Sequence, residues 1–134
     1  MRRVIVIGGS AGSIDPLCEV IEELPADFSA PIMVVIHINE AENMLTDVLQ
    51  RCTKLKVISP RESQPVMVGH VYIAPPNRHL VVRSDCVIPV PGPRENRHRP
   101  AIDVMFRSAA RSYGARVVAV AQRPDLRLTA FHLL

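Results

Sequence analysis

Residues 4–12 read VIVIGGSAG, and this segment indicates the fold class of the chain. Its first four residues form a β-branched run of the kind found in a strand buried on both faces. Glycines two residues on either side of Ser10 give the G-x-S-x-G pattern of a nucleophile elbow. The pattern predicts a strand, then a sharp turn with unusual glycine backbone angles and no room for Cβ atoms, then a helix.

Length and composition indicate one domain with an aliphatic core. The 134 residues are 48% hydrophobic, contain no Trp and include only 4% aromatic residues. We therefore expect residues 1–134 to form a single domain in which Val and Ile strands pack on Leu and Ala helices. The net charge of +3 is mild and the only dense basic run lies at residues 94–99, so nucleic-acid binding is not expected.

The number and spacing of the cysteines indicate the redox environment of the chain. Cys18, Cys52 and Cys86 are odd in number and far apart in the chain, without a C-x-x-C pair. This spacing predicts neither a disulfide framework nor a zinc site and favours a reducing cytoplasm. We expect each thiol to be a small buried apolar group. No apolar run is long enough to cross a membrane, and the first residues do not resemble a signal peptide.

Alternating strand and helix patterns predict a doubly wound α/β domain with a mostly parallel sheet in three α/β/α layers. Strands are expected at 4–7, 32–36 and 117–121, and helices at 14–24, 44–52 and 101–113. Residues 57–93 hold most of the prolines. There, short strands at 70–74, 80–83 and 87–90 predict a small antiparallel insertion. The tail, 122–134, has no clear pattern.

Two polar residues are expected just past the first two strands, where ligands bind in such sheets. Ser10 follows the first strand and His37 follows the second, which offers a nucleophile and a general base if the strands are neighbours. Backbone N–H groups of Ala11 and Gly12 would supply part of an oxyanion hole. The glycine turn by itself fits phosphate binding as well as it fits serine hydrolysis, although neither G-x-G-x-x-G nor G-K-[ST] is present.

Residues 94–99, RENRHR, precede the third helix. They fit a solvated loop, and they also fit a basic rim that attracts an acidic substrate. The candidates for that rim are Arg97, His98 and Arg99.

Longer motifs make the chain similar to a known family. The segments are IGGSAG at 7–12, Ile36-His37, GHVYIAPPNRH at 69–79 and PRENRHRPAID at 93–103. They occur in order within residues 4–121 and resemble the catalytic domain of the bacterial chemotaxis receptor methylesterases, the CheB type. Members without the usual N-terminal receiver domain are the most similar.

The resemblance implies a cytoplasmic serine hydrolase of bacterial chemotaxis signalling. Such enzymes cleave glutamyl methyl esters, and deamidate some glutamines, on the acidic helices of methyl-accepting chemotaxis receptors. Ser10 would be the nucleophile, His37 the base, and the backbone N–H of Ala11 an oxyanion donor. No cofactor, metal, nucleic acid or membrane insertion is implied.

The tail departs from the family pattern. The family's triad acid lies in a T-G-x-x-x-D-G-like loop after the strand matching 117–121, whereas this chain reads QRPDLRL at 122–128. Leu128 stands about where the acid would align. Asp125 is three residues away and follows a proline, so it would be aimed differently, and the triad acid stays unassigned.

We expect from this a truncation or a shifted reading frame after about Ala121. A sheet edge and apolar helix faces left uncovered would then favour self-association. Three functions stay open: a serine esterase, an inactive remnant or receptor-binding module, and, less favoured, a nucleotide-binding α/β domain.

Overall fold

The fold is organised around one large sheet and one small sheet, seen in a computed structural model that describes residues 3–37, 44–93, 100–122 and 129–132. In chain order the elements are β1 (Val4–Ser10), α1 (Ile14–Glu22), β2 (Ile32–His37), α2 (Leu45–Arg51), β3 (Lys56–Ile58), β4 (Gln64–Pro65), β5 (His70–Ile73), β6 (His79–Arg83), β7 (Cys86–Val90), α3 (Ile102–Tyr113), β8 (Val117–Gln122) and β9 (Thr129–His132). Short 3₁₀ turns, Ala11–Ser13 and Gly114–Arg116, precede α1 and β8.

The large sheet has the strand order β3-β5-β2-β1-β8-β9. Its first five strands are parallel, and β9 pairs antiparallel with β8. The chain winds outward from β1 through β2 in one direction and then crosses to β8 on the other side of β1. This is the doubly wound, mostly parallel arrangement that the sequence predicts, with β1 at the point where the winding reverses.

Two apolar clusters cover the two faces of the large sheet, because successive strand residues point to opposite sides. On one face, Ile7 and Val34 pack with Leu17 of α1 and Leu49 of α2. On the other face, Val6 and Val35 pack with Met105 and Ala109 of α3, together with residues of the small sheet. The prediction of a three-layer α/β/α architecture is confirmed.

The small sheet is antiparallel, with the order β4-β7-β6. One part of the predicted insertion is wrong: β5 belongs to the large sheet, where it lies parallel between β2 and β3. Val71, Tyr72 and Ile73 are consecutively buried, as in a strand covered on both faces. The strands β3, β4 and β9 are not predicted from the sequence.

α3 is fastened to the small sheet by two serines. The backbone N–H of Val82 donates to the Ser108 Oγ over 3.0 Å, and the Ser112 hydroxyl donates to the carbonyl of Val82 over 2.9 Å. These bonds occupy the backbone groups of β6 at the edge of its sheet. α3 ends at Tyr113, as the sequence predicts, and Gly114 follows with a φ of +57°, a conformation that favours glycine after a helix.

Among the residues that the structure describes, no helix is both long enough and apolar enough to span a bilayer.

Candidate active site

Ser10 and His37 end neighbouring strands of the large sheet. β1 continues through the glycine pair to Ser10, and β2 continues to His37, so each residue closes its strand instead of following it. In the parallel register Ser10 lies directly opposite His37. Paired residues of adjacent strands point to the same face, so the structure brings the two predicted side chains together.

The Ser10 hydroxyl stands out among the buried polar groups that the structure describes. Its Oγ is shielded from solvent and forms no hydrogen bond with any residue that the structure describes. Buried hydroxyl groups are nearly always hydrogen-bonded, and exceptions need a reason. The Nε2 atom of His37 is buried as well. Hydrogen bonds between a nucleophile and its base often tighten only when substrate binds, so the arrangement is compatible with acyl transfer.

Gly8 allows α3 to approach the strand that carries Ser10. Gly8 lies on the same face as Ser10, two residues earlier, and a Cβ built on it would be only 2.5 Å from Cγ2 of Ile102. The first residue of α3 therefore packs directly against β1 beside the site. The expectation of missing room for Cβ atoms is confirmed at this position.

The expectation of unusual backbone angles in the turn is wrong for its first two glycines. Gly8 and Gly9 are both residues of β1. Among the glycines that the structure describes, those with positive φ are Gly69 and Gly114, outside the turn. The physical requirement at Gly8 is space for a neighbouring helix.

The backbone after Ser10 turns at once into a helical segment. The 3₁₀ turn Ala11–Ser13 leads into α1, which begins at Ile14. The first N–H groups of a helical run have no partner within it and carry a partial positive charge. The N–H groups of Ala11 and Gly12 thus follow the nucleophile where an oxyanion hole would need them, and their role stays a prediction.

His79 is a site residue that the sequence analysis did not single out. It is only 3% exposed. The N–H of Ala101 donates to its Nδ1 over 3.1 Å, and its Nε2 lies 2.7 Å from the carbonyl oxygen of Pro93. Because Nδ1 accepts a hydrogen bond, the proton of a neutral ring is assigned to Nε2, which donates to Pro93.

These two bonds attach Pro93 and Ala101, described residues on either side of the run 94–99 in the sequence, to the first residue of β6. Arg97, His98 and Arg99, the rim candidates, lie outside the described residues, as do Asp125 and Leu128. The sequence signal that points to His79 is its place as the last residue of the family segment GHVYIAPPNRH at 69–79. β8 ends at Gln122, which pairs with Gly9 one residue before Ser10.

In the described part of the chain, no group of three or more His, Cys, Asp or Glu side chains could hold a metal ion.

Comparison with known proteins identifies the family of this chain. A sequence model of the CheB methylesterase family matches residues 5–121. The crystal structure of the Thermotoga maritima CheB methylesterase catalytic domain superposes with a TM-score of 0.82 at 32% identity, covering 90% of this chain and 67% of that one.

Two curated relatives carry the name protein-glutamate methylesterase/protein-glutamine glutaminase. One, from Leptospira interrogans, is 35% identical over 120 residues, which are 88% of this chain and 62% of that protein. Another, from Geobacter metallireducens, is 40% identical over 124 residues, which are 89% of this chain and 35% of that protein. The chain thus spans from about one third to less than two thirds of the length of these relatives. From the match over residues 5–121 and the shared fold, the chain belongs to the CheB methylesterase family.

Proposed function

We propose that this chain carries the nucleophile and the base of a protein-glutamate methylesterase, with Ser10 as nucleophile and His37 as base. The observation that carries the proposal is the direct pairing of these residues at the carboxyl ends of β1 and β2, together with the buried, unengaged Ser10 hydroxyl. The names of the relatives support ester hydrolysis and give no support to nucleotide binding at the same turn.

The chemistry follows from these positions. His37 takes the proton as the Ser10 Oγ attacks the ester carbonyl, and the carbonyl oxygen becomes an oxyanion that the Ala11 N–H stabilises. His37 then passes the proton to the departing methoxide, so that methanol leaves and an acyl-serine remains. Water, activated by the same base, releases the glutamate carboxylate and restores Ser10.

The proposed substrate is a methylated glutamate on the acidic helices of a cytoplasmic chemotaxis receptor domain. The net charge of +3 and the basic run at 94–99 favour such a partner electrostatically. His79 supports the same proposal, because it bonds Pro93 and Ala101, which flank that run in the sequence, and Ala101 directly precedes α3, whose first residue packs next to the site.

Methanol release from a methylated receptor fragment tests the proposal. We expect Ser10→Ala and His37→Ala to lower the rate about 10³-fold or more, because each removes a group that acts in the transition state. Ser112→Ala is the matched control, since its hydroxyl serves only to bond the Val82 carbonyl in α3 packing. Equal rates for wild type and Ser10→Ala would overturn the esterase proposal.

A second candidate function is a receptor-binding module without turnover. The observation that favours it is the sequence directly after β8, which reads QRPDLRL at 122–128 in place of a T-G-x-x-x-D-G-like loop. Losing the acid that orients the base costs about 10⁴ in turnover in a serine protease. Receptor binding that survives in Ser10→Ala, with no methanol release from wild type, would support the module. A large loss of rate in Asp125→Asn would instead assign the orienting role to Asp125.

A further inference from the structure

Two cysteines that are distant in the chain lie side by side in the fold. Cys18 is in α1 and Cys52 is the residue that ends α2, and their Sγ atoms are 2.6 Å apart. The prediction that each cysteine is a small buried apolar group is wrong, because all three cysteines are partly exposed. The sequence spacing concealed the pair because α1 and α2 come together only when both pack on one face of the sheet.

We propose that Cys18 and Cys52 are a redox-responsive pair that closes to an intramolecular disulfide joining α1 to the end of α2. Unbonded carbon atoms pack best at roughly 3.5–4.0 Å, and sulfur is larger. The separation of 2.6 Å is thus well inside ordinary contact and about half an ångström beyond a covalent S–S bond. Little movement of either helix is needed to close the bond.

The surroundings permit the reaction. Partial exposure lets a small oxidant reach the thiols. The neighbouring bonds are weak ones: the Cys52 thiol donates to the Leu49 carbonyl over 3.2 Å or to the Cys18 sulfur. Cys86 lies on β7 in the small sheet, which packs on the opposite face of the large sheet. The third cysteine is therefore an internal control.

The oxidant can be hydrogen peroxide. One thiol is oxidised to a sulfenic acid as peroxide is reduced and one water leaves, and the second thiol displaces hydroxide from that sulfur. In sum, two S–H bonds break, one S–S bond forms, and one peroxide becomes two waters. A low-molecular-weight disulfide gives the same product by two exchange steps and releases two small thiols.

The raised pKa of Cys18 slows formation of the disulfide near neutral pH. Burial, the hydrogen bond and charge of Cys52, and the carboxylates of Asp15 and Glu22 raise the pKa of Cys18 to about 12. Because the thiolate is the reactive form, Cys18 is held largely as the slow thiol at neutral pH. We expect the cross-link to form slowly near pH 7 and faster as the pH rises.

The position of the pair links it to the candidate site. α1 follows the strand that ends in Ser10, and α2 is the helix after the strand that ends in His37. A bond between Cys18 and Cys52 ties together the two helices that follow these strands. It does so on the face opposite to the Ser10 and His37 side chains, so no site residue has to move.

Oxidation of the full chain followed by peptide mapping tests the proposal. The chain is treated with hydrogen peroxide or glutathione disulfide, unreacted thiols are alkylated, and the mass and the linked peptides are determined. We expect a monomer lighter by two hydrogen atoms, alkylation at Cys86 alone, and one peptide pair joining Cys18 to Cys52. Cys86→Ser should give the same product, whereas Cys18→Ser and Cys52→Ser should give no intramolecular link.

A parallel reaction in urea keeps the test independent of how the variants fold. The unfolded chain should lose the preference and yield mixed pairings. A folded wild-type chain that keeps all three thiols alkylatable, links Cys86, or couples only between molecules would overturn the proposal.

Discussion

At the scale of one residue, position 8 must be glycine because Ile102 of α3 occupies the space that a Cβ atom would need. We expect Gly8→Ala to destabilise the fold by about 1–3 kcal/mol, as overpacking of a filled interior does. The new Cβ would sit 2.5 Å from Ile102 Cγ2 and push on the first turn of α3. Urea unfolding measures the cost.

The control for Gly8→Ala is the same change in an Ile102→Ala background. Removing the isoleucine branches should abolish most of the penalty, which gives a coupling energy between the two positions. The same penalty in both backgrounds would contradict the steric explanation.

Cys18 makes the stability of the fold sensitive to alkaline pH. Burial and the neighbouring Cys52, Asp15 and Glu22 raise its pKa from 9.0 to about 12 in the folded chain. The unfolded chain releases this proton first as the pH rises. The stabilisation is therefore fully present below about pH 9 and is lost as the pH rises from there towards 12.

Chemical denaturation at several pH values under reducing conditions measures this loss. Cys18→Ser should show a shallower decline in unfolding free energy between pH 9 and 11 than wild type, whereas Cys86→Ser should follow wild type. Parallel declines in all three chains would contradict the role of Cys18.

At the scale of elements, His79 joins β6 to the segment that leads into α3. We expect His79→Leu to cost roughly 2–3 kcal/mol, because the buried Ala101 N–H and the Pro93 carbonyl would both lose their partner. Releasing Pro93 and Ala101, which flank the basic run in the sequence, should also raise KM for a receptor substrate more than it lowers kcat.

His70→Leu is the matched control for this prediction. His70 is half-buried, and its bond to the Val68 carbonyl is exposed to solvent, so losing that bond should cost less than losing the buried bond of His79. A similar loss of stability in both variants, or an unchanged KM in His79→Leu, would contradict the anchoring role.

The elements differ in how well the sequence predicts them. β1, β2 and β8 are continuous β-branched runs, which is why their positions and their parallel pairing could be predicted. β5 has only four residues, too few for a periodicity that would tell which sheet it joins. β3 has three residues, and its pairing with β5 depends on contacts that no local pattern records.

At the scale of the whole molecule, the candidate site was more predictable than its surroundings. Ser10 and His37 could be placed together because carboxyl ends of adjacent parallel strands meet at one edge. His79 and the Cys18–Cys52 pair could not be predicted, because each depends on packing between elements far apart in the chain. Self-association stays a prediction, and sedimentation of the full chain tests it.

The central claim, that His37 activates Ser10, is tested most directly by reaction with a fluorophosphonate probe followed by peptide mapping. We expect a single labelled peptide that contains Ser10, no label in Ser10→Ala, and labelling slowed at least about 100-fold in His37→Ala, since a general base contributes a factor of roughly 10²–10⁴ to the rate. Ser112→Ala should label like wild type. Label on another serine, or an unchanged rate in His37→Ala, would contradict the claim.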